Sequence, residues 1–160
     1  MRGEVSQPKT PAEISALYQE LILDHYRRPR NKGTLENADA SVEMKNPLCG
    51  DEINLQVAFD GASVSDLKFS GRGCSISQAS ADMMADVVKG QALESASELA
   101  DSFKSMMAQT DDGSSDSLGD LAALQHVKRY PVRVKCALLP WNTLAEAIRS
   151  YESDRASVTR

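Results

Sequence analysis

The chain is predicted to be an α+β protein, a small three-stranded antiparallel sheet packed against several helices, and three observations predict it. Two-residue alternation runs over residues 42–45 and again over 53–59, and resumes after the turn dipeptide Asp60-Gly61. Apolar residues recur at three- and four-residue spacing before that stretch and again after it. Nothing divides the chain: 160 residues without an internal repeat fit one domain over 1–160, and a chain of that size buries roughly 68–70% of its unfolded surface.

The elements follow in order. Thr10-Pro-Ala-Glu13 supplies an N-cap, a proline at the first helical position and a glutamate in the first turn, so a helix starts there, after a flexible lead over 1–9. It runs to about Tyr26 with Ile14, Leu17, Leu21 and His25 on one face, and the segment 27–33, with Pro29 and Gly33, stops it. His25 on that apolar side reads as a packed, hydrogen-bonded core histidine rather than a ligand. The basic residues after it read as solvated surface.

Val42 and Met44 alternate with Glu43 and Lys45, then Ile53, Leu55, Val57 and Phe59 alternate with Asn54, Gln56 and Ala58. A third strand over about Ala62 to Ser70 keeps Leu67 and Phe69 in phase, while Val64 and Asp66 break the alternation and mark a bulge. After Gly71-Arg-Gly73, the residues Ile76, Ala79, Met83 and Val87 give a helix that ends at Lys89-Gly90; Leu93, Ala96, Ala100, Phe103 and Met107 give the next. Met83, Met84, Met106 and Met107 read as core filler, since thioethers suit copper better than zinc. Residues 110–120 are too polar to pack and read as a mobile loop. A short helix with Leu121 and Leu124 follows, its His126 exposed and only a third-choice ligand. The last helix starts near Pro131, with Val134, Leu138, Trp141, Leu144, Ala145 and Ile148 inward, a kink at Pro140, and a polar, frayed tail over 152–160.

Composition narrows the function. A hydrophobic fraction of 41% with 26% charged residues is that of a soluble protein. A net charge of -5 argues against a nucleic-acid partner, which needs clustered Lys and Arg. No apolar run serves as a secretory signal or spans a bilayer, so the expected compartment is the cytoplasm, without membrane attachment. In that reducing setting, three cysteines point to metal or sulfur chemistry more than to disulfides; buried structural cysteine is the bland alternative.

The cysteines stand in distinctive surroundings. Cys49 and Asp51 lie in Asn46-Pro-Leu-Cys-Gly-Asp51, in the loop between the first two strands, where residues two apart project to the same side. Cys74 opens a helix, where the positive end of the macrodipole favours thiolate. Cys136 follows Arg133 by three residues, which places the two on one helical face. Three thiols and one carboxylate make a chemically reasonable tetrahedral zinc set, although the chain has no Cys-x-x-Cys pair.

Four stretches together resemble the SufU and IscU family of iron-sulfur assembly proteins over almost the whole chain. They are Leu17-Tyr-Gln-Glu-Leu-Ile-Leu-Asp-His-Tyr26 with Pro29-Arg-Asn31, Asn46-Pro-Leu-Cys-Gly-Asp51, Gly71-Arg-Gly-Cys-Ser-Ile-Ser-Gln-Ala-Ser80, and Arg133-Val-Lys-Cys136. Lys135, where IscU proteins carry a site histidine, and the longer interval between Cys74 and Cys136 resemble SufU more closely. That resemblance implies a zinc-dependent sulfurtransferase that accepts persulfide sulfur from a SufS-type, pyridoxal-phosphate-dependent cysteine desulfurase and serves downstream Suf assembly proteins. It implies Cys49, Asp51, Cys74 and Cys136 as zinc ligands and Cys49 as the sulfur acceptor. The expected mechanism has a donor-supplied ligand release Cys49 for attack on the persulfide, with Arg133 steadying the anionic site. The rival from another class is a non-enzymatic scaffold that builds an iron-sulfur cluster, or binds iron, on the same ligands. A purely structural zinc domain fits the glycine-flanked Cys49 poorly, and a Cys-His hydrolase lacks an orienting third group.

Overall fold

The computed structural model describes residues 11–47, 50–108 and 116–158. Its elements are helix α1 (Pro11–Arg27), strands β1 (Ala40–Asn46), β2 (Asp51–Asp60) and β3 (Ser63–Arg72), helices α2 (Ser75–Val88) and α3 (Leu93–Ala108), a 3-10 segment (Asp116–Arg129) and helix α4 (Pro131–Val158). The strands form one antiparallel sheet in the order β1-β2-β3, with Val42 opposite Leu55 and Leu55 opposite Phe69. The fold is therefore α+β, as the alternation predicts. The bulge also falls where Val64 and Asp66 break phase: Ala58 pairs with Asp66 and Phe59 with Val64, leaving Ser65 as the extra residue.

One face of the sheet is covered by helices. α4 packs across β1 and β2, and α2 across β2 and β3. Ile53, Leu55, Val57, Leu67 and Phe69 point into that core, where they meet Met83, Met84, Phe103 and Trp141, the last two stacked with ring centroids 5.1 Å apart. The four methionines at 83, 84, 106 and 107 are all buried, as filler should be.

α1 departs from its expected face. Leu17 is 46% exposed and Leu21 only half-buried, while Ile22 and His25 are buried. The helix is rotated so that Tyr18, Ile22 and His25 face its neighbours. The Thr10 cap and residues 1–9 lie outside the described residues, as does most of the 110–120 stretch. From Asp116 the chain is 3-10 helix, interrupted at Gly119 (φ 57°). After that break the large buried side chains Leu121, Leu124 and Val127 recur every third position, the period at which 3-10 side chains eclipse on one face; Leu118 before it and Ala123 are buried too. His126 is half-buried rather than exposed, its Nε2 3.2 Å from Ser15 Oγ. Pro140 does not end α4, which continues through residues 152–158.

A polar knot fastens α1 to the rest. The buried His25 meets Asp82 Oδ2 through Nδ1 at 2.6 Å and Asp120 Oδ2 through Nε2 at 3.1 Å. Asp82 Oδ1 accepts the backbone N–H groups of Arg30 and Asn31, each at 2.8 Å, and Asn31 Nδ2 at 3.1 Å. Asn31 Nδ2 also donates to Asp86 Oδ1 at 2.9 Å. His25, Asp82 and Asp86 stand close enough to hold a cation, but these donors already engage Asp82, so the group is a satisfied structural node. The segment beside it lies along β3: Phe69 N donates to Asn31 O and Gly33 N to Phe69 O.

The knot makes stability depend on pH. The hydrogen bond to Asp82, opposed by burial and aided by Asp120, raises His25 from 6.5 to about 8. Asp82 is held below its ordinary value by His25 and the Asn31 and Arg30 amides, against its own desolvation. A raised histidine contributes fully below pH 6.5 and loses that contribution as pH rises through about 8. The lowered aspartate contributes above its ordinary value and is lost as pH falls below it. A shift of this size is worth about 2 kcal/mol. Denaturant titrations at pH 6 and pH 9 are expected to differ by roughly that amount, and His25→Gln is expected to remove the difference.

Candidate metal centre

Three of the four expected ligands converge. Asp51 is not in the loop, as the sequence was expected to place it, but is the first residue of β2, paired with Asn46. Strand parity puts it on the same face as Ile53, Leu55 and Val57, and it is fully buried. Cys74 is the N-cap residue of α2, in extended backbone with φ -72° and ψ 166°. Cys136 is buried in the second turn of α4, its thiol 3.5 Å from Val132 O. One ligand atom from each of Asp51, Cys74 and Cys136 lies within 4.8 Å of the others.

Asp51 links sheet and helix through its two oxygens. Oδ1 accepts the Cys74 backbone N–H at 2.8 Å, satisfying one of the amides left open at the start of α2, while Cys74's own side chain makes no cap hydrogen bond. Oδ2 stands 3.7 Å from Cys74 Sγ. Two glycines let the strand come this close. A Cβ on Gly71 would stand 2.1 Å from Glu52 O, and one on Gly73 would stand 2.2 Å from Asp51 Oδ1 and 2.9 Å from Ser77 Oγ. Both have positive φ, 129° and 153°. Ser77 Oγ in turn donates to Cys74 O at 3.2 Å and lies 4.0 Å from Cys74 Sγ.

The donor set fits a zinc ion. Ligand atoms around a tetrahedral ion with bonds of about 2.0–2.3 Å stand roughly 3.5 Å apart, and the 3.7 Å between Asp51 Oδ2 and Cys74 Sγ is of that size. Two sulfurs and one carboxylate oxygen are suitable zinc donors, and they leave a fourth position to be supplied. Cys49, expected as that ligand and as sulfur acceptor, lies outside the described residues. It belongs to the four-residue connection between Asn46 and Asp51, where Gly50 takes φ 71° and its N–H donates to Asn46 O at 2.9 Å.

Arg133, in the first turn of α4, lies within the electrostatic influence of both sulfurs. The charge of Cys74, then hydrogen bonding to it and the same two effects from Cys136, hold the guanidinium above the ordinary arginine value against slight burial. His126 and His25 are both engaged elsewhere, and Lys135 is exposed. Sequence reasoning overlooked Ser77 and the role of Asp51 as acceptor of the Cys74 amide. The signal for the latter was present, since Asp51, Ile53, Leu55 and Val57 share one alternation.

The NifU-like N terminal domain model matches residues 17–137, a span that holds every residue of the site. The zinc-dependent sulfurtransferase SufU of Bacillus subtilis (strain 168) is 45% identical over 141 residues, 88% of this chain and 95% of that protein. The iron-sulfur cluster assembly scaffold protein IscU of Streptococcus pyogenes serotype M1 is 41% identical over 138 residues, 86% of each. The crystal structure of an iron-sulfur cluster assembly scaffold protein for the SUF system from Fervidobacterium islandicum AW-1 is 40% identical, with a TM-score of 0.77 over 82% of this chain and 96% of that one. With its strand-borne acid, the thiol at the start of α2 and the second thiol all inside the matched span, the chain belongs to the family of NifU-like N-terminal domains.

Proposed function

We propose that the chain is a zinc-dependent sulfurtransferase of iron-sulfur cluster assembly, accepting persulfide sulfur from a SufS-type cysteine desulfurase in the cytoplasm and passing it to downstream Suf proteins. The observation that carries the reading is the convergence of Asp51, Cys74 and Cys136 beside the short connection that holds Cys49. The similarity to a protein named as a zinc-dependent sulfurtransferase supports it. Cys49, Asp51, Cys74 and Cys136 hold the ion, which when bound keeps the thiols deprotonated and fixed in place.

The chain's residues supply the remainder. Asp51 fixes the start of α2 against β2, so Cys74 and Cys136 gather beside the first residue of that strand. Arg133 offers positive charge where thiolates gather. The Cys49 thiolate attacks the outer sulfur of the donor's persulfide; a new S–S bond forms on Cys49 as the donor's S–S bond breaks, and the electron pair leaves with the donor cysteine. The test is transfer of radiolabelled sulfur from persulfide-loaded desulfurase. Wild type is expected to take up label, and Cys49→Ser to take up less than about a hundredth as fast, because an alcohol does not replace a thiolate nucleophile. A Cys49→Ser chain labelled at the normal rate ends the assignment.

The second reading is a scaffold on which the cluster is built as cargo, favoured by the 41% identity to a protein named as an IscU scaffold. Anaerobic incubation with iron and sulfide separates the two. A chain that keeps zinc and forms no visible chromophore acts in sulfur transfer, and one that exchanges zinc for a stable cluster is a scaffold.

A further inference from the structure

A groove of about 960 Å³ opens beside the metal centre, between α1, the start of α2 and the junction of the 3-10 segment with α4. Its end nearest the thiols is formed by Ser75, the neighbour of Cys74, and by Arg133. Its floor is apolar, made by Ile22, Leu23, Ile76 and Val127. At the rim, Tyr130 and Val132 are 50% and 52% exposed, large apolar side chains held in water. Singly such residues are ordinary; two on the rim of one apolar groove mark a binding surface.

The charge here runs against that of the molecule. The chain carries a net charge of -5, yet the described lining residues include no Asp or Glu and do include Arg129 and Arg133. Arg133 carries the electrostatic influence of both sulfurs. Arg129 is exposed and has no carboxylate partner among the described residues. An apolar trough with a cation at the thiol end and another on its rim is complementary to an extended peptide bearing apolar side chains and carboxylates. Its volume lies at the upper end of the range for ligand sites, suited to a few side chains of a peptide.

We infer that this groove seats the persulfide-bearing segment of the sulfur donor, as an extended peptide with apolar side chains on the floor and a carboxylate on Arg129. The inference rests on the proposed sulfurtransferase function and assigns the docking face and its chemistry. Seated there, the segment enters along Tyr130 and Val132 and ends at Ser75 and Arg133, beside the thiols.

The test measures cysteine desulfuration by the SufS-type desulfurase against increasing concentration of this chain. Arg129→Glu and Val132→Glu each alter an exposed side chain outside the thiol site; both are expected to raise the half-saturating concentration about tenfold or more while leaving the extrapolated maximal rate near wild type. Lys104→Glu on α3, which lines no part of the groove, is expected to change neither. Raising salt is expected to weaken half-saturation of wild type more than that of Arg129→Glu. Matching circular dichroism melts confirm that the variants are folded. Wild-type stimulation with half-saturation unchanged in both groove variants overturns the docking assignment and leaves the sulfurtransferase reading intact. No stimulation and no label on Cys49 in wild type removes both. A wild-type dimer that Val132→Glu converts to monomer puts a second copy in the groove and likewise overturns the assignment.

Discussion

Gly73→Ala is expected to empty the metal centre while leaving the chain folded. The added Cβ would stand 2.2 Å from Asp51 Oδ1 and 2.9 Å from Ser77 Oγ, with the Asp51 carboxyl carbon also at 2.9 Å. Neither side can yield easily. The backbone at φ 153° is one that L side chains rarely adopt, and the carboxylate is buried and tied to the Cys74 amide. Relief therefore swings Asp51 away, removing one proposed ligand and the acceptor of the Cys74 amide in one step. Loss of an outer-shell partner alone typically costs 10- to 100-fold in metal affinity, so displacement of a ligand is expected to cost at least about 100-fold. Competition against a chromophoric zinc chelator reads this directly. Gly61→Ala is the control: its φ is also positive but nothing lies within 4 Å of the new Cβ, so stability falls slightly and zinc affinity stays. Wild-type affinity in Gly73→Ala contradicts Asp51 as a ligand.

The largest effect on stability is expected from Asp82→Ala. That change removes the carboxylate beside a 4% exposed histidine and orphans the backbone N–H groups of Arg30 and Asn31, while Asn31 Nδ2 keeps its bond to Asp86 Oδ1. Breaking a buried pair by deleting one partner costs about 3–5 kcal/mol, and in a domain of this size each kcal/mol moves the midpoint by about 2–4 °C. A fall of roughly 10 °C or more in thermal melts is the expected result. His25 should also titrate lower by NMR, since its largest raising contribution is gone. A melt within a few degrees of wild type, with His25 still near 8, means that the knot does not fasten α1.

Much of this fold was legible because one chemical signal repeated. The strand alternation, the Asp60-Gly61 turn and the glycines before Cys74 each depend on neighbours within a few residues, and sequence carries such information directly. Asp51 was legible too, by parity with Ile53, had the alternation been extended two residues upstream. The 3-10 segment after Gly119 could be read from the three-residue spacing of Leu121, Leu124 and Val127. What could not be read is pairing at a distance. His25 and Asp82 are 57 residues apart, and an aspartate within a helix gives no sign that it will be fully buried under a histidine. The rotation of α1 that exposes Leu17 follows from the same knot, because seating His25 and Ile22 inward turns the neighbouring leucine out. The meeting of Asp51, Cys74 and Cys136 likewise needs the packing of α2 and α4 on the sheet; local spacing supplied candidates, and only tertiary structure supplied their convergence.

The two-handed grip of Asp51 has a thermodynamic consequence. One oxygen anchors a peptide amide of the helix while the other looks toward sulfur, so the entropy of gathering these groups is settled during folding and not when the cation arrives. Small zinc domains that are random coil without their ion couple loading to global collapse. Here a core built from sheet and helices carries the architecture, so loading and unloading of the proposed ion would be local events at a rigid corner.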